Sequence, residues 1–502
     1  MMKKFGRKAL ALSLTAVLGA SMVLTGCGGK SKNEGKKGED STTKIGLTTG
    51  LASDTTADIS IMTWSGDSKY YEDIGGMDLS TDKLTSQNVA QVYAVAKQFK
   101  KLYPNIKINL WAKTGDPDQP GTPKWEQEMT SFKAKYGKYP DIWASTSVTN
   151  DIKKGLAADL SVFSDDETYK AYNENLMSNL NYYGFQGGLP SFSIPWGIWV
   201  NKALAESKNI NVPDPDWTID DTRFFTKSDN TSFWGDKSTP VNIINMGTTT
   251  INKQIKEKGT VDLDSDEVKS LLSYIPKWAA STIDVAEGAG TLSKDIKIES
   301  KTYSWYYFCN NRCLTNITDP WYLTAGADES AKESESYIDS KDWDIYPFPS
   351  TDYCGNTIKV VMDPICIHNY AADDGNKEWN DDEKAKLKAT YTFATYWTAS
   401  TEAKQAIFDQ KWTDNGAEKS AAGDSFPVVT GDTYKKQMDI WNNLPAHKTY
   451  KDKEGWKEIL KLWENNESWD YIDKCWTSKI TEKGETTDVL YEWNNMWNEE
   501  VA

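Results

Sequence analysis

The chain has 502 residues with 73 acidic against 57 basic side chains, a formal net charge of −16 at pH 7, and 22 tryptophans beside 25 tyrosines. An acidic balance of this size argues against a nucleic-acid partner and against direct adhesion to anionic lipid, and it leaves neutral or cationic ligands in play. With only two histidines, His368 and His447, a metal centre has few donors to draw on.

Lys3, Lys4, Arg7 and Lys8 open the chain, and Ala9 to Leu24 follows as an uncharged apolar run. At helical rise that run is too short to cross a bilayer core, but it suits a secretory signal. It ends in Leu24-Thr25-Gly26-Cys27, which resembles a bacterial lipobox, where the cysteine takes a diacylglycerol and becomes the new N-terminus. Residues 1–26 are therefore expected to be a lipoprotein signal peptide. Cys27 is the expected lipidation site, anchoring the protein to the outer face of the cell membrane. Residues 27–57 are Gly, Ser, Thr, Lys, Asp and Glu with little to bury, and read as a flexible tether. Gly28-Gly29-Lys30-Ser31 mimics the tail of a phosphate-binding loop, but Leu24 stands where that loop needs its first glycine.

The remaining length suffices for two or three ordinary domains or two large lobes, and no later segment is long and apolar enough to span a membrane. Asp58 to Trp64 alternates and is rich in β-formers, which predicts a strand. Val89, Val92, Ala96 and Phe99 mark one helix face, ended by Tyr103-Pro104-Asn105. Ile106 to Trp111 reads as a second strand, Trp125 to Phe132 as a helix, and Pro140 to Ser145 as a buried strand entering a loop. This alternation predicts a parallel sheet with helices on its faces. Ligands then bind in the loops at the carboxyl ends of the strands: Trp64 to Ser68, the segment after Trp111, and Ser145 to Ser147. Further on, Asp214 to Thr218 predicts a turn into a helix start. Strands are expected at Lys297 to Phe308, Asp342 to Phe348 and Ile358 to His368, and one helix over Lys384 to Phe408. From Thr433 onward the pattern is helical. Trp456, Leu460 and Trp463 form one stripe and Leu490, Trp493 and Trp497 another, and such stripes are expected in the core.

With Cys27 lipidated, Cys309, Cys313, Cys354, Cys366 and Cys475 remain, an odd number that rules out a fully paired framework. They are expected as buried apolar residues, with room for one disulfide, and neither a metal nor a cofactor is expected.

The order of these segments resembles the extracellular solute-binding proteins of ABC sugar importers, the family that includes maltodextrin-binding proteins. Phe99 to Lys107 resembles that family's helix ending in a Tyr-Pro-Asn-Ile step. Pro140-Asp141-Ile142-Trp143 resembles its Pro-Asp-aliphatic segment, Val200-Asn201-Lys202 its first crossing between lobes, and Trp217 its Thr-Trp turn. The helix from Lys384 to Gln410 is similar to another family helix, and the likeness runs from about Asp58 to Pro427. The resemblance implies an α/β, two-lobed periplasmic-binding-protein-like fold (type II). Each lobe would be a mostly parallel sheet flanked by helices, with the ligand cleft at the hinge. Residues 58–194 plus 350–410 would form lobe 1, and 195–349 plus 411–502 lobe 2.

By the same resemblance Asp67 matches a carboxylate that holds sugar hydroxyls, although Ser68 replaces the lysine that follows it. Ser145 and Thr146 stand where the family presents an acid, so a hydroxyl contact is expected there. Trp321, in Asp319-Pro320-Trp321, resembles a tryptophan that stacks on a sugar ring, and Trp441 resembles a second. Residue chemistry adds Trp64, Trp196 and Trp199 as stacking platforms and Asp319 and Asp363 as acceptors. A pyranose offers a C–H face that sheds water on an indole and a hydroxyl edge that carboxylates accept from. Trp143 and Trp217 are expected in packing. The expected partners are an oligosaccharide and ABC permease subunits, the membrane through the lipid alone, with no nucleic acid and a monomeric chain. The competing readings are a binding protein for another solute, such as a peptide or polyamine, and a surface glycoside hydrolase. No Gly-x-Ser-x-Gly, His-Glu-x-x-His or paired Cys-x-x-Cys supports an enzyme.

Overall fold

The computed structural model describes residues 50–65, 69–84, 86–113, 125–182, 184–224, 232–234, 265–266, 269–270, 273, 308–311, 313–318, 338–352, 355–373, 379–414, 416–422, 426–444 and 447–465. It also describes the short pieces 469–470, 479–480 and 486–487. Cys27, Asp67, Asp319, Trp321, Cys354, Cys475 and the stripe Leu490, Trp493 and Trp497 lie outside the described residues. Among the described residues no helix is long and apolar enough to cross a membrane.

β1 (Ala57–Trp64) is buried from Ile59 to Thr63, as befits a central strand covered on both faces. β2 (Lys69–Tyr71) follows, and then α1 (Gln87–Leu102), which starts at Ser86, whose hydroxyl accepts from the Val89 amide at 3.3 Å. Val89, Val92, Ala96 and Phe99 are buried along α1, as the periodicity predicts. β3 (Ile106–Lys113), α2 (Trp125–Tyr136) and β4 (Ile142–Ala144) complete the expected alternation, and β1 runs parallel to both β3 and β4. β2 lies antiparallel on β3 at the sheet edge.

Short helices α3 (Val148–Lys153), α4 (Glu167–Ala171) and α5 (Glu174–Asn179) and the hairpin β5 (Asn181–Tyr182) and β6 (Phe185–Gln186) lead to β7 (Leu189–Asn201). This 13-residue strand runs through two prolines and a glycine, where the sequence reads as irregular. Beyond α6 (Lys202–Ser207) come β8 (Ser232–Trp234), β9 (Cys313–Thr318), β10 (Trp343–Tyr346) and β11 (Ile358–Ile367). Of the strand expected over 297–308 only Phe308 is described, and it sits in a helical turn.

Among the described residues ten strands form one mixed sheet in the order β2-β3-β1-β4-β11-β7-β9-β8, with β10 joined to β7 and the two-residue strand Trp469–Asp470 joined to β11. The α/β class and the helix-flanked sheet stand as expected. The long strands β7 and β11 run antiparallel to each other, and β11 runs antiparallel to β4. β7 changes partners along its length: Leu189 to Trp196 pair with β11, whereas Gly197 to Asn201 pair with β9 and β10.

The single helix expected over 384–408 is two: α7 (Asp381–Ala399) and α8 (Thr401–Asp409). Ser400 between them is extended, and its hydroxyl accepts from the Ala403 amide at 3.0 Å, so the serine acts as a helix start inside the apolar pattern. A hairpin, β12 (Lys411–Asp414) and β13 (Ala417–Ser420), precedes α9 (Gly431–Asn443) and α10 (Glu454–Glu464). The helical reading of the C-terminus fails after α10. β14 (Trp469–Asp470) pairs with β11, and β15 (Lys479–Ile480) pairs with β16 (Thr486–Thr487). Contacts also cross the expected boundary at residue 410: the Gln91 amide donates to the Ala421 carbonyl at 2.7 Å, and the Gln437 amide to the Ala399 carbonyl at 2.8 Å.

Much of the tryptophan content is structural. Trp441, Trp456 and Trp463 converge on Phe426 at edge-on angles of 77°, 89° and 81°, and Trp441 stacks on His447 at 3.8 Å. Burial drives the His447 imidazole from its ordinary 6.5 down to about 3, against the bond that its Nδ1–H donates to the Trp441 carbonyl at 3.0 Å. The folded state therefore takes up this proton less readily than the unfolded chain between about pH 3 and 6.5, and stability is lost as pH falls through that window. We expect a slope contribution of about 1.4 kcal/mol per pH unit, which His447→Gln removes in urea titrations at pH 7 and pH 5.

Candidate ligand site at the carboxyl edge of the parallel strands

The parallel strands of the sheet are held by the carboxylate of the Pro140-Asp141 motif. Asp141 accepts from the Ser60 amide and hydroxyl, both at 2.7 Å, and from the Tyr370 hydroxyl at 2.9 Å, while Lys386 lies 3.3 Å away. Burial alone would raise its pKa, but Lys386, Lys138 and the Ser60 bonds outweigh it and hold the carboxyl below the ordinary value. β1 and β4 thereby end at one level. Trp64 and Ser145 each stand two residues beyond the paired Met62 and Trp143. Trp64, half-buried, closes β1 opposite Lys113, whose carbonyl accepts from the Ser65 amide at 2.6 Å. The Lys113 side chain is buried in an ion pair with Glu128 and so presents no free charge to this edge.

β11 enters the same edge from the opposite direction. The Ser145 amide donates to the Pro364 carbonyl at 2.9 Å, which sets Asp363 and Pro364 beside the turn after β4. There the β7–β11 ladder skips a residue: Asp363 pairs with Phe192 and Pro364 with Pro190. Ser191 is the extra residue of this bulge, and its hydroxyl donates to the Asp363 carbonyl at 2.7 Å. Bulges re-aim side chains, and here Asp363 is exposed between two buried neighbours. Though open to water, its carboxyl is crowded by protein, and the lost hydration pushes its pKa up to about 6.

The edge therefore gathers Trp64, Ser145, Thr146 and Asp363 among the expected site residues. Thr146 is exposed, whereas the Ser145 hydroxyl is already engaged, donating to Asp151 at 2.6 Å and accepting from the Ser147 amide. Trp196, half-buried, lies farther along β7 opposite Lys359, next to the point where the strand changes partners. Trp199 and Trp441 are corrected to core positions. Trp199 is 0 % exposed and packs on Trp343 at 4.7 Å, while Trp441 is 1 % exposed and sandwiched between His447 and Trp456, so neither has a face to offer a ligand. Trp143 and Trp217 are buried with their indole N–H groups bonded to Asp151 and to the Pro347 carbonyl, as packing residues should be. Ser191 and Phe192 carried no signal in the sequence, because a bulge has no local signature. The apolar hollow lined by Val200, Ile210, Trp217, Leu314 and Tyr346 carries none of the placed polar groups that a sugar requires. Cys309, Cys313 and Cys366 are free thiols, and no metal-binding cluster occurs among the described residues.

No protein-family model matches the chain, and no curated protein sequence matches it either. Solved structures do. An ABC substrate-binding protein of Listeria monocytogenes in complex with cycloalternan shares 14% identity, with 89% of this chain and 98% of that one covered and a TM-score of 0.52. The cyclic alpha-maltosyl-1,6-maltose binding protein of Arthrobacter globiformis shares 12% identity over 89% and 98% of the two chains, with a TM-score of 0.51. The maltodextrin binding protein of L. casei, solved without ligand, shares 10% identity over 89% and 94%, also at 0.51. The fold is that of the ABC sugar-binding proteins, as the resemblance in the sequence implies.

Proposed function

We propose that this protein is a lipid-anchored, extracellular carbohydrate-binding component of an ABC importer. It captures an oligosaccharide by closing residues 58–194 plus 350–410 upon 195–349 plus 411–502, and delivers it to permease subunits without catalysis. One observation carries the reading. Asp363, an exposed residue whose carboxyl is crowded by protein, stands on a bulge beside the turn that carries Thr146, at the edge that Trp64 closes. Such an acceptor gains most from a ligand that brings its own hydroxyl donors, and an indole nearby suits the C–H face of a sugar ring. The ligands named for the solved proteins of the same fold, cycloalternan among them, support an oligosaccharide. Asp67, Asp319, Trp321 and Trp196 complete the proposed site, with Trp321 as the principal stacking ring. Cys27 keeps the receptor on the membrane, and the polar segment after it lets the receptor reach its transporter.

Titration calorimetry of the soluble chain against neutral oligosaccharides, maltotriose and mannotriose among them, tests the reading. Binding with no release of reducing sugar supports it. Binding of a peptide or polyamine in place of every glycan sinks it. The site should also be pH-sensitive. Asp363 is mostly ionised at pH 7 and gains a proton as pH falls through about 6, so glycan affinity should fall between pH 7 and 5. Asp363→Asn should weaken binding about tenfold at pH 7 and remove that pH dependence.

A further inference from the structure

We infer that Asp151 is the positioning residue of this site, fixing the Ser145–Ser147 turn in register with the Asp363 bulge. The inference rests on the carbohydrate-site reading above. Asp151 is half-buried on α3, just behind the turn. One of its carboxylate oxygens accepts from the Trp143 indole N–H at 2.9 Å and from the Ser145 hydroxyl at 2.6 Å. Its donors thus come from β4 and from the turn itself, and the Ser145 amide ties that turn to β11 at Pro364, next to Asp363.

The chain of bonds continues outward. The Ser145 hydroxyl, held by Asp151, accepts from the Ser147 amide at 3.2 Å, and Ser147 in turn caps α3 by accepting from the Asn150 amide at 3.4 Å. Ser145 also donates its own amide to Pro364. Thr146 is the exposed residue between two anchored serines. A carboxylate that receives several side-chain donors orders each of them, because all lose their partner together if it moves. Asp151 acts on the edge through Ser145. Its part is to preorganise the turn and so to lower the ordering cost of binding.

The test compares Asp151→Ala, Asp151→Asn and Ser145→Ala in the full-length protein. It measures amide hydrogen exchange over residues 144–148 and affinity for maltotriose and mannotriose. Asp151→Ala should speed exchange in the turn about tenfold and weaken whichever trisaccharide the parent binds by about tenfold. Asp151→Asn keeps an acceptor oxygen for Trp143 and Ser145 and should stay within about threefold of the parent in both readouts. If Asp151→Ala does not fold, Ser145→Ala removes the hydroxyl link alone and should reproduce both losses. Unchanged exchange in the turn overturns the inference, and so does a loosened turn that leaves affinity intact. A parent protein that binds neither trisaccharide nor any other glycan counts against the carbohydrate reading instead, and the exchange measurement then decides on its own whether Asp151 orders the turn.

Discussion

Asp141→Ala is expected to destabilise the protein by about 3–5 kcal/mol, the usual result of removing one partner from a buried, bonded ion pair. The residue is 1 % exposed, and the loss strands the Ser60 amide and hydroxyl, the Tyr370 hydroxyl and the charge of Lys386 together. Asp141→Asn should cost less, since an amide oxygen can still accept from Ser60. The pH dependence distinguishes a charge effect from a packing effect. The folded-state carboxyl is held below its ordinary 3.8, so its contribution is fully present above that value and is lost as pH falls through the lower, folded value. The gap between parent and Asp141→Asn in urea denaturation should therefore be constant from pH 8 to 5 and narrow only below about pH 4. A gap that does not change with acid would mean that the carboxylate acts only as a hydrogen-bond acceptor.

Gly455→Ala should be nearly as damaging, at about 3 kcal/mol, the upper end of what overpacking usually costs. α10 crosses β10 so closely that an added Cβ at position 455 would lie 2.0 Å from the Ile345 carbonyl oxygen, and one at Gly197 would lie 2.4 Å from that of Tyr346. Both obstacles are backbone atoms of one buried strand, so they cannot swing aside. Gly197 also stands next to the point where β7 changes partners, so Gly197→Ala should lower thermal stability as well. Gly355→Ala is the control: nothing lies within 4 Å of its added Cβ, and its backbone needs no left-handed conformation. It should leave stability within about 0.5 kcal/mol of the parent. If all three variants melt alike, the close approach of α10 to β10 does not hold.

The parallel half of the sheet was legible because period and burial agree there. β1, β3 and α1 follow their apolar patterns to within a residue or two at each end. The stripe Trp456, Leu460 and Trp463 likewise reads correctly, with both tryptophans in the core. β7 was hidden because Pro190, Pro195 and Gly197 are local strand breakers, and only the partners on either side keep the strand whole. The break at Ser400 was written in the sequence as a cap, yet an unbroken apolar pattern outweighed it. At the site the split is sharper. Tryptophan count names candidates but not faces: Trp64 closes a strand at the open edge, while Trp199 and Trp441 are enclosed by other rings. Asp363 carried a discouraging signal, since Asp-Pro commonly begins a turn. Its exposure comes from a one-residue mismatch with a strand some 170 positions away, which no local pattern records.

That mismatch limits how this scaffold can diversify. Ser191 puts the part of β7 after it one step out of phase with the part before it, measured against β11. A lost residue there would erase the bulge that exposes Asp363, or slide every later position and turn Trp199 out of the core. Apart from Gly197, side chains along β7 can be exchanged, but its length cannot drift. Among descendants of this chain, changes of ligand preference should accumulate as point exchanges around Thr146, while residues 189–201 keep their number unchanged.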